Sequence, residues 1–115
     1  MNTLEIKKAH SQNISKIIEY VPHSVVSREI IKKTTGSISI VAIDTGEELA
    51  RKTSPFDIFI EIIEGKAEIV IEEESIPLLT GQAIIIPAHA PNSIIAGERC
   101  KMLVTIIKSG YEQEL

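Results

Sequence analysis

Residues 58–72 read IFIEIIEGKAEIVIE, two runs hinged on Gly65. Before the glycine, Ile58, Ile60 and Ile62 alternate with Phe59, Glu61 and Ile63. After it, Ala67, Ile69 and Ile71 alternate with Lys66, Glu68, Val70 and Glu72. A side-chain period of two belongs to extended chain, and a glycine between two such runs predicts a β-hairpin. The second run is apolar on one face and polar on the other, as in a strand with one wet face. The first is apolar on both faces except at Glu61, so its outer face is expected to be covered. The acidic run Glu72-Glu73-Glu74 reads as a solvated hairpin tip, because adjacent side chains in extended chain cannot converge on one cation.

The same grammar extends outward. Strand-like segments fall at 25–31, 37–43, 76–79, 83–86, 92–96 and 101–108, separated by Thr35-Gly36, Thr45-Gly46, Thr80-Gly81, Pro91 and Gly97. Turns at this spacing indicate an all-β sandwich or barrel. The chain carries 23 isoleucines, mostly in short runs, and β-branched residues suit a pleated surface. Residues 101–108 resemble the first strand in being two-sided: Met102, Val104 and Ile106 point one way, Leu103 and Ile107 the other. A second sheet, a helix or a partner subunit would cover such faces. One short helix is predicted, where Ile14, Ile17, Ile18 and Val21 recur at helical spacing and Pro22 ends the pattern.

Composition sets the bounds. A chain of 115 residues is one domain, long enough to bury roughly 65% of its unfolded surface. No run of apolar residues is long enough to span a membrane, and residues 1–10 lack the apolar core of a secretory signal, so the expected location is the cytoplasm. The sequon Asn13-Ile14-Ser15 would then be irrelevant. A lone Cys100 excludes an internal disulfide and a multi-cysteine metal cluster. It heads an apolar strand, the setting of an inert thiol. With a net charge of −4, short basic pairs at Lys7-Lys8 and Lys32-Lys33, and no Trp, nucleic-acid binding is not expected.

Two spacings carry a family resemblance. Gly46 is followed after five residues by Lys52-Thr53-Ser54, after three more by Ile58 and after six more by Gly65. Gly81 is followed after five residues by Pro87-Ala88-His89, after two more by Asn92 and after three more by Ala96. This chain resembles the cupins, small single-domain members of the conserved-barrel type, over about residues 25–107. Their first motif is Gly, five residues, His-x-His, three or four residues, Glu, six residues, Gly. Their second is Gly, five residues, Pro-x-Gly, two residues, His, three residues, Asn. The resemblance implies a double-stranded β-helix, a jelly-roll-like barrel, at 25–110. An N-terminal arm with the short helix (1–24) would precede it and a tail (111–115) would follow.

The departures bear on function. The family's four metal positions fall on Lys52, Ser54, Ile58 and Asn92. Ile58 has no donor atom, Lys52 brings a cation and Asn92 is at best a weak ligand, so no metal or other cofactor is expected. Lys52 then reads either as a solvated lysine or as an ammonium at the barrel mouth that recognises an anion, with Asp57 or Glu48 as its neighbour. His89, in the slot of the motif's glycine, is a loop histidine or a pocket-lining base. Asn92 is an inward polar group or a turn cap. The leading expectation is a metal-free cupin that binds a small anionic metabolite through Lys52, His89 and Asn92 against an apolar wall of Ile58, Ile60 and Ile85 or Ile86. The alternatives are a metal-independent isomerase or epimerase with His89 as base, and a structural or interaction protein whose barrel is filled by isoleucine. A homodimer is expected, through the arm and an edge strand.

Overall fold

The alternating isoleucines form nine strands in the computed structural model, which describes residues 5–111. The strands are β1 (Val25–Lys33), β2 (Gly36–Ile43), β3 (Glu48–Lys52), β4 (Ile58–Glu64), β5 (Lys66–Ile71), β6 (Glu74–Leu79), β7 (Ala83–Ile86), β8 (Asn92–Ile95) and β9 (Cys100–Ile107). They build two antiparallel sheets, ordered β1-β2-β9-β4-β7 and β3-β8-β5-β6. The fold is the all-β, two-sheeted barrel expected.

One side-chain parity fills the space between the sheets. Val41, Ile43, Ile58, Ile60, Ile62, Ile69, Ile86, Ile94 and Met102 are buried there together. Gly65 joins β4 to β5 at φ +81°, and a Cβ at that position would lie 2.2 Å from the carbonyl oxygen of Arg99. Only glycine meets both conditions. The acidic tip is a two-residue hairpin between Ile71 and Glu74, with Glu72 and Glu73 exposed and both at positive φ.

Two expectations need correction. The helix around residues 14–21 is a single 3-10 turn, Ile14–Lys16, and Asn13 makes no side-chain cap to it. An eight-residue segment rich in β-branched side chains cannot sustain a helix by itself. The arm's carbonyls bond to the sheet instead: Lys101 Nζ donates to the Ser15 carbonyl at 2.5 Å and Arg28 donates to that of Ile17 at 2.9 Å. The strand Glu48–Lys52 was not foreseen, because only Leu49 in it is strongly apolar. Leu49 packs on the core and the remaining residues are exposed.

The arm is what covers the outer face of the larger sheet. Ile18 is buried with Ile30, Ile40 and Ala42, and Ile6, Ile14, Ile17 and Leu103 pack around them. Among the described residues, the cover stops short of the whole sheet. On the outer face of β4 and β7, Phe59 remains 41% exposed and Ile85 61%. The first four residues of the arm and residues 112–115 of the tail lie outside the described residues.

Candidate functional site

The site expected from the motifs lies where β3 meets β8. Asn92 on β8 is buried and pairs directly with Lys52 on β3, while Ile94 pairs with Leu49. A register shift separates the two pairs. Without it, Leu49 and Lys52, three residues apart, would face opposite sides of the sheet. The extra residue on β3 restores the parity, so both stand on the inward side with Ile94 and Asn92. Lys52 is exposed at the rim, yet desolvation by the surrounding protein lowers its pKa below the ordinary lysine value. Its ammonium makes no ion pair among the described residues, with Asp57 and Glu48 included.

Asn92 is held from two sides. Its amide nitrogen donates to the carbonyls of Ala90 at 3.0 Å and Lys52 at 3.3 Å. Its amide oxygen is buried with no hydrogen-bond partner among the described residues. A buried acceptor without a donor is costly, of the order of 1–3 kcal/mol, and is uncommon in folded proteins.

The other candidates form a neighbouring loop. Asp57 Oδ1 accepts from the Ala88 amide at 2.8 Å, and the Asp57 amide donates to the Tyr111 hydroxyl at 2.7 Å. Asp57 therefore clamps the 87–91 loop rather than balancing Lys52. The His89 amide donates to the Ser54 carbonyl at 2.6 Å. His89 has φ +72°, the left-handed conformation suited to the glycine of the motif slot it fills. Its side chain is exposed, and its imidazole has no hydrogen-bond partner among the described residues.

The four positions that resemble metal slots do not fit a divalent ion. Ile58 is buried in the core and offers no donor. The Ser54 hydroxyl already accepts from the Phe56 amide at 3.1 Å. Lys52 would have to lose a proton before its amine could ligate, and a transition ion requires imidazole, thiolate or carboxylate donors. Among the described residues, no group of three or more His, Cys, Asp or Glu converges. Cavities of about 270, 310, 370 and 500 Å³ open elsewhere on the surface, and none of these is lined by Lys52, Asp57, His89 or Asn92.

A second polar constellation escaped sequence reasoning. The Tyr20 hydroxyl donates to Glu64 at 2.7 Å, with the Arg99 guanidinium 4.4 Å from the ring centroid and the Lys101 ammonium 5.0 Å from it. Burial, and then Glu64, raise the Tyr20 pKa. Arg99 also pairs with Asp44 at 3.2 Å, and Asp44 accepts from the His23 amide at 2.7 Å. The His23 and Thr45 amides and then Arg99 hold the Asp44 carboxyl below its usual range. These residues come from four distant segments, so no local spacing betrays them. Beside them Cys100 is fully buried, and desolvation pushes its thiol up to about 11, as expected for an inert cysteine.

Comparison with known proteins settles the fold class. A conserved protein of unknown function from Streptococcus pyogenes superposes with a TM-score of 0.87 at 28% identity, over 92% of this chain and 93% of that one. A cupin superfamily protein from Desulfitobacterium hafniense gives 0.84 at 22% identity, over 90% and 94%. An RmlC-like cupin from Desulfovibrio desulfuricans gives 0.77 at 22%, over 86% and 96%. No family model and no curated protein matches the sequence. The protein is a cupin-fold barrel. No helix among the described residues is long and apolar enough to cross a membrane.

Proposed function

We propose that this barrel is a non-catalytic binding protein for a small anionic metabolite, held at the mouth by Lys52 and Asn92. The reading rests on one observation: an unpaired ammonium and an orphaned buried amide oxygen occupy directly paired positions on β3 and β8. Lys52 calls for an anion and the Asn92 oxygen calls for a donor, so a ligand with both a carboxylate and a hydroxyl would answer both. The wall behind them is apolar, which matches the make-up of small-ligand sites. His89 lies outside this pair and lacks a carboxylate to orient it, which counts against its use as a general base.

Titration with lactate and with propionate, followed by native mass spectrometry and calorimetry, tests the reading. Lactate should bind and propionate should bind more weakly. Lys52→Ala should weaken both by about tenfold while leaving the fold intact. Binding that is unaffected by Lys52→Ala would remove the proposal's support.

A further inference from the structure

The β1–β2 hairpin end of the larger sheet carries an apolar groove ringed by lysines, far in sequence from Lys52 and Asn92. Its floor is made by a register shift in β1. Glu29 pairs with Ser39 and Ile31 with Ile38, so Ile30 is the extra residue. A bulge turns successive side chains toward one face. Ile30 is buried under the arm, and Ile31 stands beside Ile38, 43% exposed. Between the arm and β1 lies a cavity of about 370 Å³, lined by Ile6, Ala9, Ile30 and Ile31 and by Lys7, Lys8 and Lys33. A second, of about 270 Å³, continues from Ile31 and Lys33 across Ile38 to Ile107, itself 51% exposed.

The charge around this groove is opposite to that of the molecule. The chain has net charge −4, yet Lys7, Lys8, Lys32, Lys33 and Lys108, five of its twelve basic residues, gather here. Only Lys32 has an ion-pair partner among the described residues, Glu29 at 3.5 Å. Glu5 also lines the cavity; it accepts the Lys32 amide at 2.7 Å, and that bond, with Lys33 and Lys8 behind it, keeps its carboxyl below the usual range, so its charge offsets part of theirs. What remains, among the described residues, is an apolar slot with an excess of positive charge at its lip, five lysines against Glu5 and Glu29.

We infer that this groove binds a small amphiphile with one anionic headgroup and a short alkyl chain. The chain would lie on Ile31 and Ile38 under the arm, and the headgroup would meet Lys33 with Lys8 or Lys108. A slot of 370 Å³ is of the size that admits one such molecule. Apolar burial supplies affinity, and the lysine ring selects the charge.

The test is a titration of isoleucine-methyl-labelled protein with sodium octanoate, alongside 1-octanol and acetate. Octanoate should saturate and move the Ile31, Ile38 and Ile107 signals. Octanol should bind at least tenfold more weakly, and acetate should not saturate. Lys33→Glu and Lys108→Glu, both at exposed positions, should each weaken octanoate at the groove about tenfold, whereas Lys52→Ala should leave the titration of the Ile31, Ile38 and Ile107 signals unchanged. Failure to saturate, or equal binding of octanol, overturns the inference. Shifts confined to Ile58 and Ile86 and abolished by Lys52→Ala would also overturn it while favouring the mouth site. Movement of Ile31 and Ile107 with protein concentration alone would make the groove a contact between copies. The same shifts produced only by phosphatidylglycerol vesicles would make it a membrane contact. Either result ends the proposal.

Discussion

Lys52 and Asn92 face each other across the β3–β8 pair, and the Asn92 amide spans the gap to the Lys52 carbonyl at 3.3 Å. One residue is fixed by the backbone of the other, while each keeps a polar group without a partner among the described residues. Such a pair divides the labour between structure and recognition, and substitutions should separate the two.

Asn92→Ala should cost about 1–3 kcal/mol, because it leaves the Lys52 and Ala90 carbonyls without their donor. Lys52→Ala, at an exposed rim position, should change stability by less than about 0.5 kcal/mol yet weaken carboxylate binding by about tenfold. Urea denaturation and calorimetry on the two variants read the contrast. A large stability loss in Lys52→Ala would mean that the lysine is structural.

Binding should also depend on alkaline pH. Desolvation lowers the folded-state pKa of Lys52 below its usual value of 10.5. The free protein is therefore slightly favoured above that value and loses this contribution as pH falls through the folded pKa. A bound carboxylate acts in the opposite sense, since it stabilises the ammonium and raises the pKa. Affinity should hold below the lowered pKa of the free protein and decline as pH rises through it. Lys52→Arg, which stays charged, should flatten the decline. An affinity that is constant from neutral pH to beyond 10.5 in the parent protein would exclude Lys52 from the site.

The purified protein should carry far less than one transition metal per chain by elemental analysis. A set of metal donors can be introduced by Lys52→His, Ser54→His, Ile58→Glu and Asn92→His. Ile58 is buried among isoleucines, so the glutamate alone should destabilise the barrel strongly. Zinc should recover stability, by about 2.7 kcal/mol at about a hundredfold excess over its Kd. Thermal denaturation with and without zinc reads the effect. A melting temperature indifferent to zinc would show that the four side chains do not converge.

The hairpin at Gly65 and the period-two runs were legible because one buried face imposes alternation on every strand that lines it. Glu48–Lys52 was not legible, since an edge strand with a single buried residue, Leu49, carries no alternation. The arm misled in the other direction. Ile14, Ile17 and Ile18 have helical spacing, but what they satisfy is the surface of β2 and β9, and Lys101 and Arg28 take the carbonyls a helix would have used. At the site, motif counting put Lys52 and Asn92 among the same four slots, and the structure pairs them across β3 and β8. It could not reveal that Asp57 is committed to the Ala88 amide, nor that Tyr20 meets Glu64, because those contacts join residues 31 and 44 positions apart.

The hairpin tip offers a stability test. Glu72 and Glu73 adopt φ values of +49° and +75°, which cost a side chain about 1 kcal/mol or more each, and their charges adjoin Glu74. A two-residue hairpin of this hand favours Asn-Gly. Glu72→Asn with Glu73→Gly should stabilise the protein by about 1 kcal/mol, after the greater flexibility of glycine in the unfolded chain is set against the relief of strain. Chemical denaturation with an unchanged slope would confirm that the gain is local.

The outer face of the larger sheet bears on self-association. Register relates one row of outward residues across the larger sheet: Ile31, Ile38, Thr105, Phe59 and Ile85. At the β1 end lysines border the row, and at the other end Phe59 and Ile85 stand exposed among the described residues. The edge strand β7 lies there too, only four residues long. An uncovered phenylalanine beside an uncovered isoleucine on a sheet edge is a surface that water disfavours. We propose that a second copy covers it in an isologous dimer, so the sheet face and β7, rather than the arm, would supply the contact. Sedimentation at tens of micromolar should give a dimer. Phe59→Glu and Ile85→Lys should each shift it toward monomer without unfolding it, since both side chains point away from the core. A parent protein that is already monomeric at that concentration would leave Phe59 and Ile85 uncovered and the dimer without its basis.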